Sequence, residues 1–126
     1  MTEIATDTAP RALGPYSQGR VVNNLVFTAG QIGLDPATMA LVDDTEGQIR
    51  QVFRNLLAIV GEAGGDTSSV MKLTVYLADL AHWPLVNAVM AEVFSAPFPA
   101  RTAVGVAELP LGAVIEIEAV ASLPTP

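Results

Sequence analysis

Cysteine is absent from the 126-residue chain. That excludes disulfides, thiol nucleophiles, iron–sulfur clusters and thiolate zinc, and it suits a reducing compartment, so a cytoplasmic location is expected. Histidine is nearly absent too, His82 being the only one. A histidine-rich metal site or a two-histidine metalloprotease helix cannot be assembled within one chain, and no metal or cofactor is expected. Basic residues are scarce: six Lys plus Arg face thirteen Asp plus Glu, a formal charge of -7. Such a field repels phosphate polymers and anionic lipid, so neither nucleic acid nor membrane is an expected partner. Long apolar runs are missing as well. Charged, Gly or Pro positions interrupt each one well short of the roughly 20 residues of a membrane span, and no basic segment followed by an apolar run opens the chain.

Apolar residues, in contrast, are abundant. They make up 51% of the chain, and exchanging the two tyrosines for the ten glycines, as the usual count does, lifts the share to about 57%, above the typical 45–50%. A core of this size holds less than that, so a large apolar surface is expected to be buried between subunits. No repeat, low-complexity block or long linker divides the sequence. Residues 1–126 read as a single domain with only Pro124-Thr125-Pro126 frayed.

Periodicity supplies the elements. Residues 18–22 and 25–29 are rich in β-formers around Asn23-Asn24, a pair that tolerates positive φ, and predict a hairpin. Ile49, Val52, Phe53, Leu56, Leu57, Val60 and Ala63 form one helical stripe, with a capping box from Thr45 and Gln48 and a stop at Gly64-Gly65. Met71, Leu73, Val75 and Leu77 alternate with Lys72, Thr74 and Tyr76 as in a half-buried strand. A second helix is expected from about His82 to Phe94 with Pro84 in its first turn, then strands at about 102–106 and 114–121. The order β-β-α-β-α-β-β predicts an α+β fold, a mixed β-sheet with both helices packed on one face.

Several residues could carry chemistry. Arg101 follows a turn stiffened by Pro97 and Pro99, at the entrance to a strand. A guanidinium fixed there presents a planar fork matched to a carboxylate; the alternative is a structural ion pair with one of the thirteen acids. Glu116 and Glu118 share one face of the last strand, opposite Ile115, Ile117 and Ala119. On a solvated face they are polar edge residues, whereas on a face meeting another subunit at least one is desolvated and shifted toward a useful acid/base range. Tyr16, after the Gly14-Pro15 turn, either packs or offers a hydroxyl. Asn87 is mildly unfavourable inside a helix and hints at a polar task. His82 and Trp83, at a helix start, read as packing or capping residues.

Taken in order, Gly14-Pro15-Tyr16-Ser17-Gln18-Gly19, Thr28-Ala29-Gly30-Gln31, Val86-Asn87-Ala88, Phe98-Pro99-Ala100-Arg101-Thr102 and Ile115-Glu116-Ile117-Glu118-Ala119 resemble the RidA family, also called YjgF/YER057c/UK114. The resemblance spans nearly the whole chain. It implies a chorismate-mutase-like fold, a homotrimer with sites between subunits, and hydrolysis of reactive enamine and imine acids, such as 2-aminoacrylate, to 2-oxo acids and ammonia. It further implies that Arg101 grips the substrate carboxylate with help from backbone N–H groups near Gly30 and Ala103. Glu116 then activates water, while Tyr16 and Asn87 shape the pocket. Two residues depart from the common family pattern: Ala29 stands where many members have Ser, and Ala103 where many have Cys. Neither change removes a backbone donor. Three other readings compete: a non-catalytic trimer that binds small carboxylates or a protein partner, which needs Arg101 but not Glu116; an endoribonuclease, disfavoured by the single histidine and the acidic charge; and a chorismate mutase, prompted by fold alone.

Overall fold

An eight-residue strand, Ile115–Ser122, holds Ile115, Ile117, Ala119 and Ala121 buried while its intervening residues are only half-buried. That alternation is what a strand needs to carry one covered and one open face. The computed structural model describes residues 2–124, so Thr125 and Pro126 of the expected frayed tail lie outside the described residues. In chain order the elements are β1 (Thr2–Ile4), β2 (Gly19–Val22), β3 (Leu25–Thr28), α1 (Thr45–Glu62), β4 (Val70–Leu77), α2 (Trp83–Val93), β5 (Ala100–Gly105) and β6 (Ile115–Ser122), with 3-10 turns at Thr67–Ser69, Leu80–His82 and Pro110–Gly112. The strands form one six-stranded sheet in the order β1-β2-β3-β6-β4-β5. Only β4 and β5 run parallel. A parallel pair needs a crossover, and α2 supplies it.

The expected mixed sheet with two helices on one face is what the chain adopts. Ile49, Val52, Phe53 and Leu56 of α1 and Val86, Val89 and Met90 of α2 pack with Leu73, Val75, Leu77, Ile115 and Ile117 in one core. Phe53 meets Phe94 edge to face, with ring centroids 5.7 Å apart. A smaller cluster joins Ile59 and Val60 to Ile4, Val26 and Ala121 at the other end of α1. The hairpin turns on Asn23 and Asn24, both at positive φ, as expected. Gly64, at φ 98, follows the end of α1.

Several expectations need correction. α1 is capped by Asp44, whose carboxylate accepts from the Gly47 amide at 2.8 Å, and not by a Thr45–Gln48 box. Gln48 is buried and accepts from the Val114 amide instead. Ile59 belongs to the buried stripe, whereas Leu57 only borders the core. Met71 is not on the buried face of β4: a bulge between Val70 and Lys72 shifts the register there and leaves Met71 exposed. β1, three residues long, has no counterpart in the sequence reading because it is too short to show alternation. β5 begins at Ala100, which puts Arg101 inside the strand and not before it. α2 and β6 are each displaced by a residue at their ends from the expected bounds.

Candidate active site

Alternation along β6 aims Glu116 and Glu118 at the sheet face that carries no helix. Tyr76 of β4 stands directly opposite Glu116, and Thr74 opposite Glu118. The Tyr76 hydroxyl donates to Glu118 Oε1 at 2.7 Å. Beyond the end of β3, Gln31 exchanges both backbone hydrogen bonds with Ile117, at 2.9 and 3.1 Å, and this brings Gly30 against the Glu116 carboxylate. A Cβ on residue 30 would run into that carboxylate, so space, not backbone conformation, requires glycine there. The following loop is pinned from α1, where fully buried Asn55 donates to the carbonyls of Ile32 and Leu34.

Glu116 borders two cavities. One, of about 530 Å³, is lined by Arg11, Leu13, Tyr16, Gly30, Leu111 and Glu116 among others. The other, of about 230 Å³, is formed by Gly30, Tyr76, Leu109, Glu116 and Glu118. Burial pushes the Glu116 carboxyl above the usual carboxylate range, and the neighbouring Glu118 charge pushes it further. Tyr76 is held above the ordinary phenol range, first by its hydrogen bond to Glu118 and then by burial. Tyr16 enters the larger cavity from a tight turn: its amide donates to the Gly14 carbonyl, and its hydroxyl oxygen accepts from the Leu13 amide at 3.2 Å. That leaves the phenolic proton available to a ligand. The whole 6–10 segment before this turn hangs on Gln18, which is buried, accepts from the Thr6 amide and donates to the carbonyls of Thr6, Ala9 and Pro10.

Arg101 sits on the opposite face. It is the register partner of Leu73, which aims it at the helix layer. Its Nη1 donates to Asn87 Oδ1 at 2.6 Å and approaches Met90 Sδ at 3.4 Å, and its guanidinium carbon lies 4.5 Å from the centre of the Trp83 ring. Stacking on the indole and a single amide acceptor orient the planar fork while leaving its Nε and Nη2 donors open. Among the described residues no carboxylate pairs with Arg101, so no structural ion pair is formed within this part of the chain. A third cavity, of about 450 Å³, is formed here by Asn87, Met90, Ala91, Phe98, Pro99 and Arg101. Ala103, two residues along β5 on the same face, packs against the core beside this cavity's strand without lining it.

Six residues were expected to form one site. Tyr16, Gly30 and Glu116 do come together, as do Arg101 and Asn87, but the sheet stands between the two groups within one chain. Trp83, expected to pack or cap, is the platform for Arg101. Its signal was available: Trp83, Asn87 and Met90 fall at i, i+4 and i+7 and share a helix face. The Tyr76–Glu118 contact left no mark in the sequence beyond the alternation of each strand. No cluster of metal-ligating side chains occurs among the described residues, and no helix there is long and apolar enough to cross a membrane.

Known proteins share this fold. The family model described as Endoribonuclease L-PSP matches residues 6–123. Over 121 residues the chain is 50% identical to the chloroplastic Reactive Intermediate Deaminase A of Arabidopsis thaliana, covering 95% of this chain and 65% of that protein. It is 46% identical to the 2-iminobutanoate/2-iminopropanoate deaminase of Salmonella typhimurium, covering 94% of each. Among solved structures, RidA from an Antarctic Psychrobacter superposes with a TM-score of 0.96 at 45% identity, over 98% of this chain and all of that one. With the match running from the segment before Tyr16 to the end of β6, the chain belongs to the Endoribonuclease L-PSP family, the family also called RidA or YjgF.

Proposed function

We propose that this protein is a hydrolytic deaminase of reactive 2-enamine and 2-imine acids, yielding 2-oxo acids and ammonia. The observation that carries the reading is Arg101: a guanidinium oriented by Trp83 and Asn87, with open donors and no carboxylate partner among the described residues. Such a group is built for an external carboxylate. The names of the Arabidopsis and Salmonella relatives supply the reaction class.

The chemistry runs as follows. The enamine tautomerises to the imine, with its carboxylate on Arg101 and on backbone N–H groups near Gly30 and Ala103. Glu116 takes a proton from water as the water oxygen bonds to the imine carbon. The same carboxyl returns that proton to nitrogen to give a carbinolamine, then takes the hydroxyl proton and delivers it to the amine nitrogen as the C=O bond forms and the C–N bond breaks, so that ammonia leaves behind a 2-oxo acid. A carboxyl raised by burial is suited to these transfers, and positioned acid/base catalysis contributes about 10²–10⁴-fold. Tyr16 donates from its free phenolic proton, and Asn87 keeps Arg101 aimed.

Arg101 and Glu116 lie on opposite faces of one sheet, so the site is completed between copies of the chain, and the assembly proposed is the homotrimer. Two features support it. β5 is an edge strand, which lets Arg101 reach a neighbour. The helix-free face carries exposed Val22 (54%), Leu25 (38%), Phe27 (44%) and Val104 (40%), an apolar surface of the kind subunits cover. Residues 1–126 act as one unit in this reading, and the cysteine-free chain is placed in the cytoplasm.

Release of ammonia and 2-oxo acid from 2-aminoacrylate generated in situ is the test. Arg101→Ala is expected to lose at least about 10²-fold in kcat/KM, in line with loss of a charge-assisted, orienting contact. Activity equal to wild type would overturn the reading. The family description names RNA cleavage as the second reading; a net charge of -7 and a single histidine weigh against it. RNA binding that survives moderately high salt would reinstate it.

A further inference from the structure

Two neighbouring carboxyl groups on one strand face cannot ionise independently, so something must decide which of Glu116 and Glu118 holds the proton. The two are not equivalent. Glu118 has a protein donor, the Tyr76 hydroxyl at 2.7 Å. Glu116 has no such donor among the described residues and lies against Gly30 between two cavities. Tyr76 is the register partner of Glu116, yet its hydroxyl reaches along the face to Glu118.

Within one chain, the other charged or titratable groups near the pair leave this assignment intact. Lys72, on the same face of β4, donates to Thr102 Oγ1 at 2.9 Å. Arg11 and Tyr16 border the larger cavity from the segment before β2, and neither hydrogen-bonds to either carboxyl group. Tyr76 is therefore the donor that distinguishes the two acids.

We propose that Tyr76 and Glu118 are positioning residues for the Glu116 proton: the Tyr76 hydroxyl holds Glu118 in place as its acceptor, and Glu118 beside it commits Glu116 to carrying the proton exchanged with substrate. The upward displacement of Glu116 by burial and by the Glu118 charge agrees with this. Tyr76, whose proton is held more tightly because Glu118 accepts it, is a fixed donor and not itself the acid. The proposal rests on the acid/base role given to Glu116 above.

Carboxyl 13C NMR titration of wild type, Tyr76→Phe and Glu118→Gln, alongside the pH profile of ammonia release, tests it. Glu118→Gln keeps size and the acceptor for Tyr76 while removing the charge. The Glu116 midpoint is expected to fall in both variants, by on the order of one pH unit for Glu118→Gln. The acid limb of kcat/KM should move with it while KM stays within about twofold. Tyr76→Phe should show a smaller fall, because Glu118 is still present but no longer held in place beside Glu116. A Glu116 midpoint that stays put in Glu118→Gln overturns the proposal however far activity drops, and this variant decides even if Tyr76→Phe fails to fold. The titration needs no turnover, so an inactive wild type whose Glu116 midpoint still responds refutes the deaminase reading and leaves the coupling standing.

Discussion

Glu116 is a carboxyl kept partly out of water, and its consequences extend to stability. Its proton affinity is raised in the folded state, so between the unfolded and folded pKa values the native chain holds more protons than the unfolded one. Stability from this group is therefore fully present below the unfolded value and is lost as pH rises through the folded one. Glu116→Gln should raise the urea midpoint at pH 8 relative to wild type and leave it nearly unchanged at pH 4. Gly30→Ala gives a second prediction: the new methyl must push the carboxylate aside, and kcat/KM should fall by about 10²-fold, as for other small misplacements of a catalytic group. Steady-state kinetics with a crystal structure of the variant would check both the loss and the displaced carboxylate. At this scale the sequence exposed the acids and the arginine but not their surroundings. Alternation put Glu116 and Glu118 on one face, yet nothing in a linear pattern places Gly30 under a carboxylate contributed from the far end of the chain.

Elements whose character comes from many residues at once were legible, and those decided by one or two contacts were not. The stripe of α1 and the alternation of β4 and β6 are averages over several turns or pleats, so a single misread position leaves them standing. The cap of α1 is one side chain, and Asp44 and Thr45 are adjacent residues that both suit the position. Asp44→Ala should therefore destabilise the chain by about 1 kcal/mol, whereas Thr45→Ala should have little effect, as read from denaturant midpoints. The bulge that exposes Met71 is similarly a single extra residue, and a two-residue period carries no warning of it. Gln18 and Asn55 are buried amides that fasten the two loops bordering the larger cavity, a function visible only once their carbonyl partners are known.

For the whole molecule, under the proposed function, the division of the site residues between two faces makes catalysis depend on assembly. Phe27→Glu and Val104→Glu place charges on the exposed apolar face and should yield monomers by light scattering that are folded but inactive. A sharper test mixes two inactive variants. If Arg101 and Glu116 act from different copies, refolding Arg101→Ala together with Glu116→Gln should restore activity to about one site in four, because random assembly places both native residues at that fraction of interfaces. Activity that stays at background after mixing would show that the two residues act from one chain. The apolar excess in the composition points to a covered surface; which residues such a surface would bring together could not be read without knowing that the sheet separates them.

The two halves of the site also differ in how much of the chain must be in place to make them. Arg101, Asn87 and Trp83 belong to a single β4–α2–β5 crossover, and the Arg101–Asn87 bond spans only 14 residues. The surroundings of Glu116 require Gln31 to dock on Ile117, joining distant parts of the sequence. Loop closure over such a span is entropically dearer and tends to come later in folding. The Arg101 part of the proposed carboxylate grip is thus a local property that a partly unfolded chain can retain, whereas the Gly30 amide and the proposed placement of the proton are properties of the finished sheet. Partial unfolding by heat or mutation should accordingly abolish turnover before it abolishes the Arg101 contribution to carboxylate binding.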